Sequence, residues 1–155
     1  MAIDSTEKLE LHWKLSDWEQ LDTTELYEIL SLRNQVFVVE QNCVYNDTDG
    51  KDPLSLHLCG YADQKLICYA RILPPGLSYS EPSIGRVVCD FGFRKKGIGR
   101  ALMLQAIKHS GQLWPQEKIK ISAQSYLIDF YKSMGFNVLG NEYLEDGIPH
   151  TAMIL

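Results

Sequence analysis

The chain has 155 residues, with 15 Lys and Arg against 20 Asp and Glu, a net charge of −5, and 45% apolar side chains. That length suits one domain spanning 1–155, able to bury a core without staples. The acidic balance disfavours a broad nucleic-acid footprint, and no apolar run approaches the ~20 residues of a membrane span. Residues 1–8 have neither the basic nor the apolar region of a secretory signal. Cys43, Cys59, Cys68 and Cys89 are scattered, without CxxC spacing, and read as free thiols of a cytoplasmic protein.

Leu9 to Trp13 alternates apolar and polar residues and predicts a first strand. Asp22-Thr23-Thr24-Glu25 has the pattern of a capping box. Behind it Leu26, Ile29, Leu30, Val36 and Phe37 form a helical stripe interrupted by Arg33. Gln41 to Pro53 is polar and predicts a loop, or a short irregular helix followed by one. Leu54–Ala62 and Leu66–Leu73 predict a hairpin about Asp63-Gln64-Lys65, and Ser83–Cys89 a further strand. Gly97 to Ser110 carries Ile98, Leu102 and Ala106 at helical spacing, with Gly111 as its stop. Lys118–Ser122 predicts a short strand. Leu127, Phe130, Tyr131 and Met134 share a helical face ended by Gly135. Phe136–Leu139 and Thr151–Leu155 predict closing strands. Hairpins first and βαβ units later imply an α/β fold whose mixed sheet is covered by helices.

The most informative segment runs from Val87 to Leu102. A strand enters a basic turn, Arg94-Lys95-Lys96-Gly97-Ile98-Gly99-Arg100, and the turn opens a helix. Unpaired N–H groups of a first helical turn attract an anion, and glycine lets the backbone approach a bulky phosphate. Four cations within seven residues reverse the sign of an acidic chain. Position 102 is Leu where a dinucleotide fingerprint needs its third glycine, and no Walker A pattern occurs. The histidines lack zinc spacing, and no metal site is expected.

Arg94-x-x-Gly97-x-Gly99 matches the R/Q-x-x-G-x-G/A signature of the GNAT acyltransferases (GCN5-related N-acetyltransferases). Gln124 to Phe136 resembles the family's later motif, N-x-x-A-x-x-F-Y-x-x-x-G-F, with Gln124 in place of Asn and Leu127 in place of Ala. Leu32 to Cys43, Asp49-Gly50 and Glu145-Asp146-Gly147-Ile148-Pro149-His150 look like the ElaA subgroup, a bacterial branch of that family. The resemblance covers about residues 9–155. It implies a central, mostly antiparallel mixed sheet of about six to seven strands with helices on both faces. It also implies acetyl-CoA as acyl donor, without metal, and an amine acceptor: a small amine, a polyamine, or a protein lysine or N-terminus.

The resemblance assigns the cofactor to Val87, Val88, Cys89, Arg94, Lys95, Lys96, Gly97, Ile98, Gly99, Arg100, Gln124, Phe130 and Tyr131. Tyr131 takes the general-acid position, and a backbone N–H near Val87 or Val88, with Val88 preferred, that of oxyanion donor. By its residue type alone Tyr131 reads rather as a core aromatic with its hydroxyl at the edge. Glu40, Asp49, His57 and His150 are each possible bases, with Glu40 and His150 preferred. Glu40, Asp47, Asp49 and His150 make up the expected acceptor site. Glu40, Asp47, Asp49 and Asp52 read either as an acidic acceptor mouth or as a solvated loop. Arg71 and Arg86 lie in apolar strands and need partners, structural or substrate. A non-catalytic acyl-CoA-binding module on the same fold stays open, as do monomer and homodimer.

Overall fold

The computed structural model describes residues 9–155. Strand β1 (His12–Ser16) leads into α1 (Thr23–Arg33), whose start obeys its sequence. The Asp22 carboxylate accepts from the Glu25 N–H at 2.7 Å, and the Glu25 carboxylate from the Asp22 N–H at 3.1 Å. The helix then widens into π-helical turns over Asn34–Glu40, with the Gln41 N–H reaching the Val36 carbonyl at 3.2 Å. Such insertions re-aim side chains and concentrate at functional sites.

Strands β2 (Leu56–Ala62) and β3 (Lys65–Leu73) form the expected hairpin. Its two turn residues, Asp63 and Gln64, have φ of 46° and 67°, as a tight turn matched to strand twist requires. Strand β4 (Ser83–Cys89) pairs with β3 through a bulge opposite Ala70, where Arg86 has φ 50°. Helix α2 (Ile98–Leu113) runs past Gly111. A mid-helix glycine costs only ~1 kcal/mol, which packing offsets; the stop comes at Trp114, whose backbone Pro115 forces out of the helical region. Strand β5 (Lys120–Gln124), α3 (Ile128–Lys132), β6 (Asn137–Val138), β7 (Tyr143–Glu145) and β8 (Ile148–Ile154) complete the chain. The β7–β8 hairpin turns at Asp146-Gly147, both at positive φ, and β8 begins three residues earlier than the apolar pattern predicts.

Pairing is antiparallel throughout, in two four-stranded sheets: β1-β2-β3-β4, and β5-β8-β6 with β7 also on β8. The sheets meet where β4 and β5 begin, the Lys120 N–H donating to the Pro82 carbonyl at 3.0 Å, and the two strands separate from there. Alternation along the strands feeds two cores. Cys59, Tyr69 and Val88 pack under Ile29, Leu32 and Phe37 of α1 and its π extension. Leu58, Ala70 and Ile72 pack under Leu102, Met103 and Ala106 of α2. Helices therefore cover both faces. Among the described residues, no helix is long and apolar enough to cross a membrane.

Candidate active site

The separating ends of β4 and β5 enclose a cavity of about 280 Å³, floored by Val87, Val88 and Cys89 and flanked by Ser122, Gln124 and Tyr131. β4 is the last strand of its sheet, so its outer row of backbone groups faces this cavity. The Asp90 N–H donates to the Ile67 carbonyl at 2.7 Å, and Tyr69 stands opposite Val88. Antiparallel bonding alternates, so the Val88 N–H is directed into β3, whereas those of Val87 and Cys89 point away from it. The Val88 N–H, expected to face the cavity as donor, is thus turned into β3 instead, while Val87, within the bulge, borders the cavity.

Beyond Cys89 the chain makes the basic turn. Lys95 and Gly97 adopt φ of 63° and 74°, and Gly97 caps α2. A Cβ at Gly97 would meet nothing within 4 Å, so the start of α2 is uncovered on that side, and its first-turn N–H groups have no partner within the helix. Ile98 is buried and anchors the helix, and Gly99 lies against Cys89 and Phe130, each 3.9 Å from where its Cβ would be. The four cations are not equivalent. Arg100 donates to the Ser133 hydroxyl at 2.8 Å, and Lys96 lies over the Phe93 ring. Arg94 forms a two-pronged ion pair with Glu40, at 2.8 and 2.7 Å, and also donates to the Cys89 carbonyl. Glu40 is thus committed to the basic turn, which argues against it as the base.

Tyr131 is 7% exposed and lines the cavity, edge-on to Phe130 and Phe136. Burial, with a smaller contribution from Tyr126, pushes its hydroxyl up to about 12, so it keeps its proton at neutral pH. Gln124 lines the same wall, its amide 3.5 Å from that of Gln41.

The acidic loop is neither an open mouth nor a solvated loop. Arg33, wholly buried, donates to Asp47 and Asp52 at 2.7 Å each. Arg71 grips Asp49 through both terminal nitrogens, at 2.8 and 2.7 Å, and reaches Asp52 at 2.9 Å. Arg33 therefore does not interrupt the helical stripe; it occupies a core position because its charge is matched there. His57 is fully buried between the Tyr69 hydroxyl (2.7 Å) and the Asp52 carbonyl (2.9 Å), and burial lowers its pKa. Neither Asp49 nor His57 is placed to take a proton from a substrate, and Asp47 and Asp49 offer no free charge to an acceptor.

Burial alone would raise the pKa values of Asp49 and Asp52, but the arginines overcome it. Arg71 holds Asp49, and Arg33 and Arg71 hold Asp52, below the usual carboxylate range. A depressed folded pKa stabilises fully above the unfolded value of ~3.9 and is lost as pH falls through the folded value. Stability should therefore change little from these groups above about pH 5 and fall steeply below about pH 4. Urea unfolding followed by tryptophan fluorescence across that range checks this; Asp49→Asn should flatten the acid limb.

The remaining candidate, His150, reaches the cavity from β8. Its Nδ1 lies 2.7 Å from the Ile148 carbonyl, an acceptor, so Nδ1 carries a proton and, in the neutral ring, Nε2 holds the lone pair. Nε2 stands 3.5 Å from a carboxylate oxygen of Glu145, and the ring stacks on Tyr143. Glu145, absent from the sequence-derived site, is carried there by the β7–β8 hairpin; Asp146-Gly147 was the local signal for that turn.

The profile of the acetyltransferase (GNAT) domain matches residues 25–155. A UPF0039 protein of Synechocystis is 40% identical over 147 residues, 94% of this chain and 96% of that one. The ElaA protein of Escherichia coli is 37% identical over 145 residues, covering 92% and 95%; its crystal structure superposes with a TM-score of 0.88. A Pseudomonas aeruginosa structure described as an acyl-CoA N-acyltransferase superposes at 0.89 with 38% identity, covering 94% of this chain and 99% of that one. The family match spans most of a chain that itself carries a basic glycine turn opening α2, a cleft where two strands part and a tyrosine on its wall, and the protein belongs to the GNAT acetyltransferase family, in the group that includes ElaA.

Proposed function

We propose that the protein transfers an acetyl group from acetyl-CoA to a primary amine by direct attack. The observation that carries this reading is the continuity of the open β4 edge with the basic turn capping α2: one lane of amide donors ending at an anion-binding helix terminus. The amides of pantetheine can pair with the β4 edge at Val87 and Cys89, as an added strand would. The pyrophosphate then falls at the N-terminus of α2, beside Lys95, Lys96 and Arg100. Gln124 and Phe130 flank the thiol end of this lane, and no metal is needed.

At the reacting centre, the amine must be neutral to attack. The amine enters neutral, its first proton left to solvent; as it attacks, the lone pair on His150 Nε2 takes the second proton that its nitrogen must shed, and Glu145 stabilises the resulting imidazolium. The amine nitrogen bonds to the thioester carbon, and the carbonyl electron pair moves to oxygen, where the Val87 N–H receives it. Collapse breaks the C–S bond, and Tyr131 donates a proton to the departing thiolate. The four thiols, free in the structure, fit a reducing, cytoplasmic setting.

Calorimetric titration with acetyl-CoA, followed by thiol-release assays on an amine panel, tests the reading; a folded protein that does not bind acetyl-CoA overturns it. Tyr131→Phe should lower kcat roughly 10–10³-fold with little change in acetyl-CoA affinity. Native kcat in that variant would remove Tyr131 from the mechanism.

A further inference from the structure

We propose that Arg86 selects an acceptor carrying a carboxylate beside its amine, an amino-acid-like zwitterion; the inference rests on the acyl-transfer reading and names its substrate class. Arg86 stands at the β4 bulge, and its side chain lines both the main cleft and a second cavity of about 40 Å³ on the side of β7 and β8. The two cavities share Phe37, Gln41, Gln124 and His150, so an acceptor seated in the smaller one reaches the larger.

The guanidinium is held but not satisfied. It lies 5.1 Å from the Phe37 ring centre and 5.7 Å from that of Tyr45, which flank it. Its Nε is 3.1 Å from an Asp47 oxygen yet out of line for a hydrogen bond. That Asp47 is already shared: its other oxygen takes Arg33 at 2.7 Å, and the Tyr45 hydroxyl donates to the first at 3.2 Å. Arg33 and Arg71 direct their terminal nitrogens at carboxylates or carbonyls. Among the described residues, Arg86 is bonded through neither of its own, and its side chain is 26% exposed. A planar two-donor fork held in a pocket and lacking an acceptor matches a carboxylate.

Facing it across the small cavity are Glu145, Asp146 and His150, and Arg86 is the one Lys or Arg in the lining. One wall is cationic and the other anionic and basic. A zwitterion fits both, its carboxylate on Arg86 and its amine toward His150 Nε2. A diamine, or a lysine side chain of a protein, would leave the fork without an anion.

The test uses matched amines with and without the carboxylate: lysine and cadaverine, histidine and histamine, tryptophan and tryptamine. Thiol release from acetyl-CoA gives kcat/KM for each. The native protein should prefer the carboxylate-bearing member roughly 10–100-fold, the worth of a charge-assisted hydrogen bond. Arg86→Gln should collapse that ratio mainly through KM, Arg86→Lys should restore part of it, and acetyl-CoA affinity should hold in both. Equal rates for the paired amines in the native protein would overturn the proposal, whatever the fate of the variants. So would an Arg86→Gln enzyme that keeps the ratio, or one that loses kcat equally on both members, which would place Arg86 at the thioester. If no amine is turned over, titrating the same amino acids into the CoA-saturated protein decides: no binding sinks the zwitterion pocket, whereas failure of CoA itself to bind sinks the acyl-transfer reading.

Discussion

Gly97→Glu should abolish coenzyme A binding in a protein that still folds. Gly97 caps α2 with φ 74° and ψ 8°, and a side chain there projects into open space. The left-handed backbone costs a non-glycine residue ~1 kcal/mol. A carboxylate beside a helix N-terminus returns part of that through the helix dipole, so the loss of stability should be small. The same carboxylate occupies the position proposed for the pyrophosphate, facing the N–H groups of Ile98, Gly99 and Arg100. It repels the ligand and removes its donors at once. Calorimetry should show acetyl-CoA affinity reduced more than about 100-fold, equivalent to ~2.7 kcal/mol. The rise in Tm that saturating ligand gives the native protein should vanish. Gly97→Ala, which adds strain without charge, should bind and merely lose stability. A folded Gly97→Glu protein with native affinity would move the anion site away from this turn.

Arg33→Ala should be the most damaging single change to stability. Arg33 is wholly buried and anchors Asp47 and Asp52, so its removal leaves two carboxylates in the interior with, among the described residues, Arg71 and Arg86 as their remaining ion-pair partners. Breaking a buried pair in this way costs ~3–5 kcal/mol, which in a domain of this size lowers Tm by roughly 10 °C. Asp47→Asn in the same background should recover part of the loss by removing one stranded charge. The β4 bulge around Arg86 should loosen as well, because Asp47 stands behind Arg86 and the Tyr45 ring lies beside it. A fall in Tm of under about 3 °C would mean that water re-enters around the carboxylates and that the network is not what holds residues 41–55 to the sheet.

The helix start at Asp22, the β2–β3 hairpin, and the order strand, basic glycine turn, helix were all legible in the residues. So was Gly135, whose φ of 101° ends α3 and whose Cβ would come within 2.9 Å of Leu155. Each depends on forces acting within a turn of helix or a few residues of strand: a cap three residues away, an alternation of two, a backbone conformation open to glycine. The end of α2 was misread because Gly111 signals a stop only when the chain turns left-handed there, and Pro115 supplied the stop instead. The β7–β8 hairpin was missed although Asp146-Gly147 announced its turn.

The sequence by itself therefore determined the local elements, the two motifs and their order, and with them the family. Tertiary structure decided what every charge does. Asp47 and Asp52 meet Arg33 across 14 and 19 residues of chain, and Glu40 meets Arg94 across 54. Whether Val87 or Val88 turns its N–H to the cleft depends on a bulge and on the ladder with β3. The pairing of His150 with Glu145 depends on a hairpin that folds back on itself. Coulomb energy follows separation in space and the local dielectric, and neither is a function of separation along the chain. An acidic loop and two lone arginines thus look alike in sequence, whether they are solvated, paired or waiting for a substrate, until packing brings them to their distances.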